Sequence, residues 1–341
     1  MVTQHDIARS LGLSQTTVSF ALRGHPMIPR TTAKQVLAAA KRLGYRPDPL
    51  ISALMAQRSL GQAARLRAKI AFVTAFPSRD EWRRSHYAAG CLDGARAAAV
   101  ARGYLCDVVW LWEPGIQGER LSQILWTQNV QGIILAPLPV DLPPIPLKWD
   151  KFAAVTLDYS LAQPELHRVV DDHAYGLERV MTEVAQLGYR RPGLVLRASQ
   201  DVRTHHSRLG SFLVGRNLRP EWEDVPPLIL PEDRWDEKRF ATWLQRERPD
   251  VVLTEETELP ASARRLGLRV PRDLGIAFFH KEQPARELSG LQIDSRSVGA
   301  IAAAVLMRMI ETNERGEPGV PTTTLVKSFN WHRGRTLRAP A

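Results

Sequence analysis

Residues 3–22 read TQHDIARSLGLSQTTVSFAL, and this stretch decides how the amino-terminal part of the chain is organised. The spacing of Thr3 and Asp6 predicts a capping box at the start of a first helix. Gly12 ends that helix, and Ser14 is placed to cap a second one. Two short helices joined by a tight turn that contains glycine are typical of a helix-turn-helix.

A third helix completes this small domain. It is predicted from Thr31 to Leu43, and Gly44 ends it. Its expected buried side chains are Val36, Leu37, Ala40 and Leu43. The first helix is expected to run from Thr3 to Leu11, and the second from Ser14 to the turn that begins at Gly24.

Basic side chains are concentrated in the first fifth of the chain. Residues 1–67 hold ten basic and two acidic side chains, a net charge of +8 out of +10 for all 341 residues. A charge placed in one segment favours a polyanionic partner, although a merely basic, soluble surface would also account for it.

From Lys69 onward the pattern changes to alternating strands and helices. Lys69 to Ala75 is an apolar run typical of a buried parallel strand. The alternation begins again after Val170, which predicts two successive halves with a cleft at the carboxyl ends of their strands. The predicted fold class is a small all-α helix-turn-helix domain followed by a two-lobed α/β domain with two doubly wound parallel sheets.

Several protein classes are disfavoured by composition. Two cysteines, Cys91 and Cys106, are too few for a disulfide scaffold and are expected to be reduced and buried. No apolar run approaches the roughly 20 residues of a membrane span. The first residues lack the basic start and apolar run of a signal peptide, so we expect a cytoplasmic protein without membrane contact.

Ordered motifs between Asp6 and Leu54 resemble the lactose-repressor (LacI/GalR) family. They are Asp6-Ile7-Ala8, then Gly12-Leu13-Ser14-Gln15-Thr16-Thr17-Val18-Ser19, then Leu43-Gly44-Tyr45-Arg46-Pro47. The remaining chain is similar to the family's periplasmic-binding-protein-like domain. The resemblance implies a homodimeric transcription regulator, expected to be a repressor, in which each subunit reads half of a palindromic operator in double-stranded DNA.

The resemblance also implies which side chains contact the operator. Gln15, Thr16 and Phe20 match the family's base-reading positions; Gln15 can pair bidentately with adenine, and Phe20 can contact a thymine methyl group. A packing role inside the domain remains open for Phe20. The implied phosphate contacts are Ser14, Thr17, Ser19, Arg23 and Lys34.

The segment after the helix-turn-helix matches the family's hinge. Leu54 matches the leucine that wedges into the minor groove, where an apolar wedge kinks the duplex. Ile51 stands where the family has a small alanine. Packing between two hinges is the alternative role of Leu54.

The resemblance implies an effector site between the lobes, for a small molecule of unknown identity such as a sugar or a related metabolite. The nominated residues are Ser78, Trp82 and Asp158 from the first lobe, and Arg203, Arg208 and Glu255 from the second. An arginine fork suits hydroxyl, carboxylate or phosphate groups. The family's Gly-Phe-Asp-Asp stands here as Phe278-Phe279-His280-Lys281, which removes a typical acceptor for sugar hydroxyls.

The sequence thus divides into three predicted parts: 1–46, the helix-turn-helix; 47–68, hinge helix and linker; and 69–341, the effector-binding and dimerisation domain. The first lobe is predicted over about 69–158 and 290–315, and the second over about 159–289 and 316–341. No phosphate loop, metal-ligand spacing or nucleophile motif is found, so we expect no enzyme, cofactor or metal. Two other hypotheses stay open: a DNA-binding regulator whose lobes no longer sense a ligand, and, remotely, a periplasmic-type solute-binding protein.

Overall fold

The computed structural model describes residues 3–22, 28–45, 68–139, 144–231, 234–281 and 285–339, and every structural statement below refers to these ranges. The amino-terminal part contains three helices: α1 Gln4–Leu11, α2 Gln15–Leu22 and α3 Arg30–Leu43. The rest of the described chain alternates strands and helices around two six-stranded sheets.

The first sheet has the strand order β11-β5-β4-β3-β1-β2, and all of its strands are parallel. The strands are β1 Lys69–Thr74, β2 Leu105–Trp110, β3 Val130–Leu135, β4 Ala153–Leu157, β5 His167–Asp171 and β11 Thr323–Val326. Three helices cover its faces: α4 His86–Ala101, α5 Gly118–Thr127 and α11 Ser295–Thr312. We call this sheet with its helices lobe 1.

The second sheet has the order β12-β10-β9-β8-β6-β7, and β12 is antiparallel to β10. Its strands are β6 Pro192–Arg197, β7 Leu228–Leu230, β8 Val251–Thr254, β9 Gly275–Lys281, β10 Gly290–Ile293 and β12 Phe329–His332. Its helices are α6 His173–Gln186, α7 Ala198–Arg203, α8 Ser207–Asn217, α9 Glu237–Glu247 and α10 Leu259–Arg265. We call this unit lobe 2.

Each of the two sheets is buried on both of its faces. Successive side chains of a strand point to opposite sides of the sheet, so one strand contributes to two core clusters. In β8, Leu253 packs toward α6 and α8, whereas Val252 packs toward α9 and α10. In β1, Phe72 and Val73 divide in the same way between two core clusters. The apolar run that predicted a buried parallel strand at β1 is confirmed.

The described chain passes between the sheets three times, and these crossings correct the predicted lobe boundaries. β5 belongs to the first sheet and β10 to the second, the reverse of the prediction. Residues 316–341 were predicted in the second lobe, but they form two strands in different sheets, β11 in the first and β12 in the second. Sheet membership depends on pairing with distant strands, such as Leu325 with Val170, and no local pattern contains that information.

Hydrogen bonds join the three crossings to one another. The Asp172 amide donates to the Val326 carbonyl at 3.0 Å, and the Asp294 amide donates to the Ser328 carbonyl at 2.8 Å. The Ser328 hydroxyl donates to the Asp171 carboxylate at 2.7 Å. The connection between the lobes is therefore a compact, hydrogen-bonded hinge, which is separate from the predicted hinge helix within residues 47–68.

Candidate DNA interface and interlobe cleft

The turn between α1 and α2 is fixed by local hydrogen bonds. The Thr3 amide donates to the Asp6 carboxylate at 2.8 Å, and the Asp6 amide donates to the Thr3 hydroxyl at 3.3 Å, which confirms the predicted capping box. Gly12 ends α1 with φ = +65°, a left-handed conformation that glycine adopts without strain. The Leu13 amide then donates to the Ala8 carbonyl at 3.0 Å and turns the chain into α2.

A small apolar core holds the three helices together. Its buried members are Ile7, Ala8, Val18, Ala21, Val36, Ala39 and Ala40. The prediction that Leu37 is buried is wrong, because its side chain is 52% exposed. Each residue turns the helix by about 100°, so Leu37 leaves the face that Val36 and Ala40 bury.

The start of α2 presents polar side chains to solvent. Gln15 and Thr16 are exposed, whereas Val18 and Ala21 on the opposite face are buried in the core. Phe20 is half-buried, so part of the residue remains accessible. An α-helix with one packed face and exposed amide and hydroxyl groups on the other can lie in a major groove and contact base edges.

Of the predicted phosphate contacts, Ser14 lies just before α2, Thr17 and Ser19 lie on α2, and Lys34 lies on α3. The Ser14 hydroxyl accepts a hydrogen bond from the Thr17 amide at 3.0 Å and lies 2.8 Å from the Thr17 hydroxyl. Ser14 thus caps α2, as predicted. Ser19 is half-buried, and Lys34 is exposed on α3. Arg23, Ile51 and Leu54 lie outside the described residues.

An ion pair joins the two lobes across the cleft. Asp158 follows β4 in lobe 1, and Arg203 ends α7 in lobe 2. Arg203 donates from Nε and Nη2 to Asp158 Oδ2 at 3.0 and 2.6 Å. Its Nη2 also donates to the Leu138 carbonyl of lobe 1 at 3.1 Å. Three hydrogen bonds from one guanidinium therefore cross between the lobes.

A second ion pair lies deeper in lobe 2. Arg208 Nη1 donates to Glu255 Oε2 at 2.7 Å, and the Arg208 side chain is only 4% exposed. The same guanidinium lies over the Phe279 ring and is 3.4 Å from His280 Nδ1. The other carboxylate oxygen of Glu255 is buried without a hydrogen-bond partner. A buried acceptor without a donor is unfavourable, and a ligand hydroxyl or amine could satisfy it.

Aromatic and imidazole side chains from both lobes complete the cleft. Tyr159 of lobe 1 lies 4.6 Å from the His205 ring of lobe 2, and Tyr87 of lobe 1 lies 6.4 Å from the His280 ring, both distances between ring centroids. Burial, together with the positive charges of Arg208, His280 and Arg203, holds the pKa of His173 well below its usual range. The largest cause is burial, which disfavours the charged form of the imidazole.

Asp171 links this cluster to the hinge. It accepts hydrogen bonds from the hydroxyls of Tyr87 and Ser328. Burial raises the pKa of the Asp171 carboxyl, and these two hydrogen bonds oppose that rise. Sequence reasoning did not nominate Asp171 or His173, which stand in the run Asp171-Asp172-His173 between β5 and α6. A polar run at the carboxyl end of a strand was the signal that could have identified them.

Comparison with known proteins decides the family. Residues 3–48 match the family model described as "Bacterial regulatory proteins, lacI family". The HTH-type transcriptional repressor PurR of Vibrio vulnificus (strain CMCP6) is 21% identical over 342 residues, which cover 92% of this chain and 93% of PurR. Residues 3–48 therefore form a LacI-family helix-turn-helix domain, and over most of its length the chain is similar to LacI/GalR regulators. It is a DNA-binding transcription regulator and not an enzyme.

Solved structures of similar fold extend over the whole chain. The transcriptional regulator CelR in complex with cellobiose has a TM-score of 0.58 at 21% identity and covers 98% of this chain and 100% of its own. The lac repressor dimer bound to operator and the anti-inducer ONPF has a TM-score of 0.56 at 17% identity and covers 99% of both chains. These likenesses confirm the predicted fold class: an amino-terminal helix-turn-helix with a two-lobed α/β domain.

Two nominated residues of this LacI-family chain lie apart from the ion pairs. Ser78 is exposed and its hydroxyl is 3.4 Å from Glu81 Oε2, while Trp82 is 5% exposed and packs into the core of lobe 1. Among the contacts described for residues 68–339, none joins Ser78 or Trp82 to Asp158, Arg203, Arg208 or Glu255. Trp82 borders a groove of about 510 Å³ beside β2, at the outer edge of the first sheet. Their role in effector binding stays a prediction.

Two further observations limit what the described part of the regulator can hold. Over those ranges, no group of three or more His, Cys, Asp or Glu side chains is arranged to bind a metal ion. Within the same ranges, no helix has the length and apolar character needed to span a membrane. Both cysteines are buried and free, as predicted.

Proposed function

We propose that this LacI-family regulator represses transcription by binding a palindromic operator as a homodimer in the cytoplasm, and that a small molecule in the interlobe cleft controls the affinity. The observation that carries the proposal is the exposure of Gln15 and Thr16 at the start of α2, whose opposite face is buried. Such a helix can enter the major groove only with these side chains toward the bases.

The proposed contacts divide into base readout and positioning. Gln15 pairs bidentately with an adenine, Thr16 offers a hydroxyl and a methyl group, and the accessible part of Phe20 contacts a thymine methyl. Ser14, Thr17, Ser19, Arg23 and Lys34 contact phosphates and set the register of α2 in the groove. Leu54, with Ile51 beside it, wedges into the minor groove at the operator centre and kinks the duplex.

Control by an effector is supported by the cleft. Groups from both lobes meet there, and the three crossings form a hinge about which the lobes can move. Among the similar structures, CelR holds cellobiose and the lac repressor holds operator together with ONPF. For this chain we propose that a ligand bound between the lobes changes the affinity for DNA.

Selection of operators from a random DNA pool tests the DNA-binding part. The full chain should enrich a palindrome, and Gln15→Ala should relax the preference at one position in each half-site with a loss of about 1–3 kcal/mol. Gln35→Ala is the matched control, because Gln35 is an exposed glutamine on α3 with no assigned base contact. An unchanged sequence preference in Gln15→Ala would remove α2 from the base-reading role.

A second candidate is a DNA-binding regulator whose lobes do not sense a ligand. It is favoured by the pairing of Arg203 with Asp158 and of Arg208 with Glu255, because the cleft residues already satisfy one another. A metabolite library screened by thermal unfolding separates the two, since a true ligand raises the unfolding temperature by mass action. The helix-turn-helix match over residues 3–48 argues against a periplasmic-type solute-binding protein.

A further inference from the structure

The cross-lobe ion pair occupies the place where a ligand would lie. The Arg203 side chain is 23% exposed and that of Asp158 is 18% exposed, so both reach the solvent side of the cleft. The Arg208 side chain is 4% exposed and is held by Glu255. Of the two guanidinium groups, Arg203 is the one that an incoming molecule can reach.

The backbone on both sides of this contact is unusual. Asp158 has φ = +63°, His205 has φ = +52° and His206 has φ = +57°, left-handed values that are uncommon outside glycine and are found mostly at Asn, Asp and His. His206 is held by Asp201, whose carboxylate lies 2.6 Å from its ring nitrogen. Asp158 and His205 stand on the two sides of the contact between the lobes, and His206 lies next to it within lobe 2.

The guanidinium of Arg203 is the group of the cleft that suits an anion better than a neutral sugar. Arg203 and Arg208 both face the cleft, and the Arg208 guanidinium lies 3.4 Å from His280 Nδ1. The acidic groups Asp158 and Glu255 are each engaged with an arginine. A carboxylate or phosphate matches the guanidinium fork in geometry and charge.

We propose that the Asp158 carboxylate is an internal substitute for the acid group of the effector. The effector is then a small metabolite with a carboxylate or phosphate that replaces Asp158 on Arg203, which breaks the tie between the lobes. This inference rests on the proposed function and names the ligand class of its cleft. The internal competitor reduces the apparent affinity, since only the fraction of molecules with a free Arg203 binds.

The test uses the full chain with three probes at equal ionic strength: inorganic phosphate, D-gluconate and D-glucose. Thermal unfolding should shift upward with phosphate, gluconate or both, relative to chloride, and not with glucose. A response to phosphate alone assigns a phosphate ester, and a response to gluconate alone assigns a carboxylate. If neither anion raises the unfolding temperature, the anionic class is overturned.

Two variants separate the internal-substitute role from ordinary ligand contact. Asp158→Asn should bind the responding anion at least about threefold more tightly, because the competitor is lost. Asparagine tolerates the left-handed backbone of this position, so the fold is kept. Arg203→Gln should abolish the response, and Arg246→Gln, a remote change of the same type on α9, should leave it unchanged. Unchanged or weaker binding in Asp158→Asn overturns the proposal.

Operator binding is measured in parallel by fluorescence anisotropy on the selected palindrome. If the chain does not bind that DNA, the proposed function fails whatever the anions do. If it binds DNA while the anions change neither stability nor affinity, only the ligand class fails. The two failures are therefore distinguishable.

Discussion

The amino-terminal cap of α2 lets helix stability and DNA contact be changed separately at one position. The Ser14 hydroxyl accepts from the Thr17 amide at 3.0 Å and lies 2.8 Å from the Thr17 hydroxyl. Ser14→Ala removes both hydrogen bonds. Ser14→Asp keeps an acceptor of equal quality at the cap and adds a negative charge where a DNA phosphate is expected.

The expected magnitudes follow from the cap. Loss of a serine cap costs about 1 kcal/mol, and α2 has eight residues, too few to be stable without its cap and packing. One kcal/mol is roughly a factor of five in a local opening equilibrium, so the amides of α2 should exchange about fivefold faster in Ser14→Ala. Exchange in Ser14→Asp should match the wild type, while its operator affinity falls at least about tenfold, or 1.4 kcal/mol.

Hydrogen–deuterium exchange by mass spectrometry and anisotropy titrations on the full chain measure the two quantities. Ser10→Ala is the matched control, because the Ser10 hydroxyl donates only to a carbonyl within α1, that of Ile7 at 2.9 Å. Wild-type operator affinity in Ser14→Asp would refute the placement of Ser14 against a phosphate. Unaltered exchange in Ser14→Ala would show that the cap does not hold α2.

Three further predictions concern charge, packing and the thiols. The ten basic side chains in residues 1–67 should give operator affinity a log–log salt slope steeper than about −5, and a slope shallower than about −2 would contradict the interface. Gly299→Ala should lower the free energy of unfolding in urea by about 3 kcal/mol, because the added Cβ would lie 1.8 Å from the Cys91 carbonyl oxygen. In Gly210→Ala the added Cβ has no other atom within 4 Å, so the free energy of unfolding should rise by about 0.5–1 kcal/mol. Equal urea midpoints for the two variants would contradict this packing argument. Burial raises the pKa of the Cys106 thiol to about 11, so dithionitrobenzoate at pH about 8 should label it only after unfolding; rapid labelling of the native chain would contradict its burial.

The amino-terminal domain was predictable because its determinants are local. The Thr3–Asp6 capping box, the left-handed Gly12 and the Ser14 cap depend on residues within four positions of one another. A spacing of three residues has a fixed meaning at a helix start, whatever the rest of the chain does. The exposure of Leu37 was missed because the width of the buried face depends on how closely α3 packs on the other two helices.

The sequence predicted the two parallel sheets, but it did not predict which strand belongs to which sheet. Alternating apolar runs and helices indicated two parallel sheets, since a strand buried on both faces has to be apolar throughout. The sequence did not indicate that β5 and β10 belong to the opposite lobes from those expected. Backbone pairing with a distant strand decides membership, and the hydrogen-bonding groups of the backbone are the same at every residue.

By itself, then, the sequence determined the helix-turn-helix, the positions of its exposed polar side chains and the presence of a two-lobed α/β domain, because each rests on periodicity or spacing over a few residues. It also nominated Asp158, Arg203, Arg208 and Glu255 one by one. Only the tertiary structure paired Asp158 with Arg203 across the cleft and Arg208 with Glu255 within lobe 2. The paired residues stand 45 and 47 positions apart in the chain, so Arg208 met Glu255 only when lobe 2 had folded, and Arg203 met Asp158 only when both lobes had folded and come together.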